Sequence, residues 1–159
     1  MDQNIQENKY NEIIFDNINK NIYFAEIAEK TGRYNEMCKF LENEYQNRIT
    51  DFNSDERYLL SDAYRNLISI QRSSLRTINT YEAREKKKDK SYYLTYIIEY
   101  KNIVFDELKA NCKRIINFID DYLIKRAKQD EAIVFYYKMK GDFNRYIAEF
   151  AEGNLKKTF

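Results

Sequence analysis

Proline is absent from the sequence, and its only glycines are Gly32, Gly141 and Gly153. The residues that open, bend and close tight turns are therefore nearly missing, and a meandering β protein cannot be built without them. Long helices joined by a few short connections are what remain, so the chain is expected to be all-α. Its 159 residues suffice for one domain with a core.

Apolar spacing divides the chain into segments. Residues 1–16 form a polar, Asn-rich extension, residues 17–153 a helical domain, and residues 154–159 a polar tail. A first helix is expected from Asn17 to Lys30, with Ile18, Ile22, Ala25 and Ile27 inward, ended by Thr31-Gly32. A second, from Tyr34 to Gln46, turns Met37, Cys38, Leu41 and Tyr45 inward and completes a helical hairpin. Asn53 and Glu56 have the spacing of a capping box that opens a long third helix to Arg84. Leu60, Ala63, Tyr64, Leu67, Ile70 and Ile78 fall on its core half.

The lysine-rich stretch from Glu85 to Lys90 reads as a solvated loop. A fourth helix follows from Ser91 to Ile124, with Leu94, Ile97, Phe105, Leu108, Cys112, Ile115, Ile119 and Leu123 at three- and four-residue steps. Asp130 is expected to cap a fifth helix ending near Ala151, with Ile133, Tyr136, Met139, Phe143, Ile147 and Phe150 on one side. Lys140 falls close to that apolar side and Gly141 is expected to interrupt the helix; periodicity explains neither.

The chemistry available is narrow. There is no histidine, which excludes histidine triads, histidine zinc sites and imidazole acid–base catalysis. No glycine-rich loop cradles phosphates. Asp120 and Asp121 project about 100° apart on a helix and read as a solvated edge rather than a catalytic pair. The expectation is no enzyme, no metal and no cofactor. Cys38 and Cys112 read as core residues without a disulfide. The net charge of +1 argues against a general nucleic-acid binder. Neither a signal peptide nor a membrane span is evident, so a cytoplasmic or nuclear location is expected.

Charge placement is more informative than its total. On the third helix Arg72 and Arg76 each lie within about 20° of Arg65, opposite the core half. Asp62 stands three residues before Arg65, but no Asp or Glu stands three or four residues either side of Arg72 or Arg76. Such a stripe repels itself unless an anion or another helix supplies negative charge. On the fifth helix Arg145 adjoins Tyr146, with Lys138 on the same polar side. Arginine forks pair bidentately with phosphate oxygens. Two helices turning these faces into one groove would let Arg65, Arg72, Arg145 and Tyr146 close around a phosphate.

The stretches ERYLLSDAYRNLISIQRSSLR and VFYYKMKGDFNRYIAEFAEG resemble the 14-3-3 family, whose members commonly carry runs such as ERNLLSVAYKN and VFYLKMKGDYYRYLAE. The similarity extends back through YFAEIAEKTGRYNEM and covers Ile18 to Gly153. It implies an antiparallel bundle of about five helices, the N-terminal half of the family's fold. It also implies an adaptor that docks phosphoserine or phosphothreonine segments of client proteins. By position Arg72, Arg145 and Tyr146 match the family's phosphate-contacting residues, and Arg65 stands where the family has lysine. Arg76 and Lys138 match basic residues beside the site, and Glu149 matches an acid that orients the cluster.

The resemblance further implies a homodimer, or a heterodimer with another family member. Arg33 and Glu107 match an interface salt bridge, and Ile27, Ser74, Ile78 and Tyr100 match packed interface positions. Lys20 and Ile103 replace residues of two other expected ion pairs. Leu75 replaces a common tryptophan, and Tyr58 and Asp62 depart from the usual run. The chain ends after the fifth helix, where relatives continue with the helices that wall the groove. A truncated form or a short divergent member is expected, with weak peptide affinity. The alternative is a dimerisation module whose arginines serve intramolecular pairing.

Overall fold

The structure is a computed structural model that describes residues 19–151. The polar extension, Asn17, Ile18, Glu152, Gly153 and the polar tail lie outside the described residues. These carry five helices and no strand, so the fold is all-α. They fall into two compact units that divide between Ile49 and Thr50.

The first unit holds α1, Lys20–Lys30, and α2, Tyr34–Asn47. Asn19 caps α1 by accepting from the N–H groups of Asn21 (3.1 Å) and Ile22 (3.2 Å), so this helix opens at Lys20. Gly32 takes φ +70°, the left-handed conformation that favours glycine. Its N–H donates to Glu29 O (3.0 Å), and that of Arg33 to Ala28 O (2.8 Å). This paired closure satisfies the last carbonyls of α1 and turns the chain into α2.

Ala25 and Ala28 are buried from α1, and Met37, Cys38, Leu41 and Tyr45 from α2. Small alanines opposite large side chains let the two helices approach closely. Ile27, expected inward, is 43% exposed, because the inward face of α1 runs through Ala25 and Ala28. Glu44, nearly buried, accepts from Asn21 Nδ2 (3.4 Å) and pairs with Arg48 (3.2 Å), a polar tie along the hairpin.

The second unit begins with α3, Ser54–Glu85. The capping box forms as expected: Asn53 Oδ1 accepts from Glu56 N–H (3.0 Å) and Glu56 Oε2 from Asn53 N–H (2.9 Å). Here α4 denotes one helical run that opens as Leu94–Phe118. It passes through a π-helical turn, Ile119–Leu123, and ends in the α-turn Ile124–Arg126. The expected start at Ser91 is three residues early, since the chain bends there without helical bonding. The last helix, α5, is Asp130–Phe150. Gln129 rather than Asp130 occupies its capping position, and no side chain caps it.

Cross-helix pairs set the directions. Arg57 faces Glu131, Tyr58 meets Phe135 and Arg72 meets Glu149, so α3 and α5 run parallel. Lys101 meets Glu82 and Lys140 meets Asp120, so α4 runs against both. The core between them holds Leu60, Tyr64, Ile68 and Leu75 of α3, Leu108, Cys112 and Ile115 of α4, and Tyr136, Phe143 and Ile147 of α5. Fully burying a side chain of this size contributes about 1.5–3 kcal/mol.

Two further expectations fail in this unit. Ile70 is 56% exposed, because the buried face of α3 runs through Leu60, Tyr64, Ile68 and Leu75. The helix runs unbroken through Gly141, and a Cβ there would meet nothing within 4 Å. Lys140 acquires a reason: its ammonium donates to both oxygens of Asp120 (2.8 and 2.7 Å), in the π-helical turn of α4.

A further anchor sits at the start of α3. Tyr136 Oη donates to Asp51 Oδ1 (2.7 Å), and the buried Arg57 donates to Phe52 O (2.9 Å). The anchor fixes where α5 meets α3 and hence which residues face each other further along. Among the described residues no helix is long and apolar enough to cross a membrane.

Candidate functional site

The polar seam between the parallel helices α3 and α5 collects most of the basic residues singled out in the sequence. Arg72 Nε donates to Glu149 Oε2 (2.8 Å), and its Nη2 lies 2.7 Å from the same oxygen. Arg76 gives Nε and Nη2 to the other oxygen, Oε1 (3.0 and 2.6 Å). One carboxylate thus holds two guanidiniums, each by charge-assisted bonds. The acid that the arginine stripe needs comes from another helix.

Burial pushes the Glu149 carboxyl up, but the hydrogen bonds from Arg76 and Arg72 and their charges outweigh it and hold it below the ordinary carboxylate range. Tyr146, one turn before Glu149, is buried. The guanidinium carbon of Arg72 lies 4.2 Å from its ring centroid and that of Arg145 lies 4.9 Å away. Both are within cation–π range of the same ring. Arg145 also donates Nη2 to Asp142 (3.2 Å), which, ahead of smaller charge effects, raises the guanidinium's already high pKa.

Arg65 is placed differently. Its Nη2 donates to Asp62 (2.7 Å), one turn back on the same helix. With Lys138 and Asp142 it lines a cavity of about 170 Å³ that also touches Tyr58, Phe135 and Met139. Asp142 therefore joins the Arg65–Lys138 recess to the cluster around Tyr146. Sequence reasoning did not assign Asp142 a partner, although its spacing of three from Arg145 was the available signal.

Altogether Arg65, Arg72, Arg76, Lys138 and Arg145 face Asp62, Asp142 and Glu149, five cations against three carboxylates. Each guanidinium carries five N–H donors, and the carboxylates engage only some of them. The seam therefore carries a surplus of positive charge and of N–H donors.

The positions expected at a dimer interface lie on both units. Ile27 and Arg33 are exposed, the latter paired with Glu36. In the second unit Ser74 and Ile78 are half-buried, while Tyr100 and Glu107 are exposed. Asp120 and Asp121 pair with Lys140 and Lys125 respectively. Among the described residues no group of acidic or cysteine side chains is arranged to hold a metal ion.

The family model for 14-3-3 protein matches residues 24–159. The chain belongs to the 14-3-3 family. Among 14-3-3 relatives, it is 38% identical over 139 residues to 14-3-3-like protein GF14-F of Oryza sativa subsp. japonica, covering 87% of this chain and 54% of that protein. It is 40% identical over 136 residues to a 14-3-3 protein homolog of Trichoderma harzianum, covering 86% and 52%. The chain spans about half the length of the curated 14-3-3 relatives it matches.

Proposed function

We propose that the chain is a non-enzymatic adaptor whose α3–α5 seam docks phosphorylated serine or threonine segments of client proteins. The observation that carries this reading is the meeting of Arg72 and Arg145, from two helices, at the ring of Tyr146. Phosphate is favoured over a simple carboxylate because it brings three acceptor oxygens and nearly two charges, matching a seam with two more cations than acids. In this assignment Arg72, Arg145 and Tyr146 contact the phosphate and Arg65 reaches it from the adjoining recess. Glu149 holds Arg72 and Arg76 in place against their mutual repulsion, while Lys138 adds charge beside the site. Family membership supports the adaptor reading.

Dimerisation is part of the same proposal. Ile27 and Tyr100 expose large apolar surface, as partner-facing positions would, and Arg33 and Glu107 supply opposite charges. On the second unit Ser74 and Ile78, both half-buried, join Tyr100 as proposed packing positions.

The test is fluorescence anisotropy with a labelled phosphoserine peptide and its unphosphorylated twin. The adaptor reading expects the phosphorylated peptide to bind at least about tenfold more tightly, 1.4 kcal/mol. Equal affinity would instead support the second reading, a dimerisation module. Glu149 favours that reading to the extent that it already neutralises one of the two arginines it holds.

A further inference from the structure

On another side of the second unit, α3, α4 and the end of α5 enclose a recess with a cavity volume of about 510 Å³. Neither Arg72 nor Arg145 lines it, so it is distinct from the seam between α3 and α5. Its apolar lining comes from Leu75 of α3, Ile98 and Phe105 of α4, and Phe150 of α5. Its polar lining is weighted toward positive charge: Lys86, Lys101 and Lys109 against Glu82 and Asp106. A second hollow of about 320 Å³ adjoins it, sharing Glu82, Lys86, Lys101 and Phe150 and reaching Glu149, whose carboxylate Arg72 and Arg76 already hold.

The charges are fixed rather than loose. Glu82, nearly buried, takes Lys86 at 2.5 Å and Lys101 at 2.9 Å, one ammonium from the residue that caps the end of α3 and one from α4. Those hydrogen bonds, from Lys86 first and Lys101 second, hold its carboxyl below the ordinary range, so it stays ionised and keeps both lysines at the wall. Lys109 lies 2.8 Å from Asp106 and 5.1 Å from the Phe105 ring centroid, which sets a cation beside the apolar lining.

We propose that this recess binds a small amphipathic monoanion: an aromatic or aliphatic body seated among Leu75, Ile98, Phe105 and Phe150, with one sulfonate or carboxylate at the lysine-bearing wall. The volume lies within the roughly 300–1,000 Å³ of small-molecule sites, which typically combine apolar walls with a few placed polar groups. Three ammoniums against two carboxylates select against a cation. An uncharged apolar ligand gains nothing from the one ammonium by which Lys86, Lys101 and Lys109 exceed Glu82 and Asp106.

The probe is 1-anilinonaphthalene-8-sulfonate, titrated into the full chain and followed by its fluorescence. One saturable site is expected, and N-phenyl-1-naphthylamine, the same body without the sulfonate, should bind at least about fivefold more weakly. Ile98→Trp, at a position 39% exposed, fills the recess from its mouth and should lower probe affinity at least about tenfold. Lys109→Glu reverses the charge beside Phe105 and should also weaken binding; it lies on the surface and tests the proposal independently should Ile98→Trp disturb folding. Circular dichroism checks that each variant retains its helices. Equal probe affinity in the Lys109→Glu variant and the native chain, or no saturable binding to the native chain, overturns the proposal.

Discussion

Glu149 receives the guanidinium of Arg72 through Nε at 2.8 Å, across 77 positions of sequence, and the same carboxylate holds Arg76. The pairing resolves the repulsion between two like charges one turn apart and aligns them along α5. It also makes Glu149 the residue on which the geometry of the proposed site turns. Replacing it by glutamine removes the charge but keeps the shape, so α3 should stay helical while its arginines separate. The expected result is weaker phosphopeptide binding, with stability lowered by about 1 kcal/mol, as for a partly exposed charged pair. Anisotropy and urea denaturation measure the two effects.

Reversing charge at either end of the cluster is a sharper probe. Arg72→Glu places a second carboxylate beside Glu149, and Arg145→Glu places one beside Asp142. Each should cost phosphopeptide binding about 2 kcal/mol or more, with the helical circular dichroism little changed. Full binding by both variants would move the phosphate site elsewhere.

The pH response separates ligand from protein. Glu149 is depressed in the folded state, so it contributes stability above its unfolded pKa of about 4.3 and loses it as pH falls through the lower folded value. The phosphate monoester takes up its second proton near pH 6, well above that point. Phosphopeptide affinity should therefore fall between about pH 7 and pH 5 while the thermal midpoint holds. A parallel fall in both would show that the cluster, not the ligand, is titrating.

Tyr136 offers a stability test away from the site. It is fully buried, and its hydroxyl donates to Asp51 at 2.7 Å. Tyr136→Phe keeps the ring and removes the bond, for an expected loss of about 1 kcal/mol. The urea midpoint should drop with an unchanged slope.

Burial pushes the Cys112 thiol up to about 12, against a smaller opposing effect from Arg72. Cys38 is fully buried as well. Neither should react with a thiol reagent in the native state, and both should react once denaturant exposes them. Rapid labelling of native protein would contradict the packing of α2 or α4.

Assembly is checked by light scattering. A homodimer is expected, and Arg33→Glu should weaken it, since it reverses the charge proposed to meet Glu107. A native chain that stays monomeric at every concentration would remove the interface proposal.

Much of this was legible in the amino-acid order. Missing turn residues forced helices, the Asn53–Glu56 spacing gave the start of α3, Gly32 gave the end of α1, and the three- and four-residue apolar steps gave most of the core of α4 and α5. These are local properties, set within one or two turns. The misreadings are also local in origin: Ile27 and Ile70 are apolar, yet which half of a helix faces inward depends on its neighbour. Gly141 was read as a break because glycine weakens an isolated helix, whereas the packing of α5 keeps it helical.

What only the tertiary structure decided was which distant charges meet. The stripe on α3 announced a need for an acid, but its own sequence neighbourhood held none for Arg72 or Arg76. The parallel course of α3 and α5, pinned where Tyr136 meets Asp51, brings Glu149 to those arginines, sets Arg145 beside Arg72 at Tyr146, and leaves Arg65 to Asp62. A charge on one helix fixes only that an opposite charge is needed; its source is decided when the helices pack.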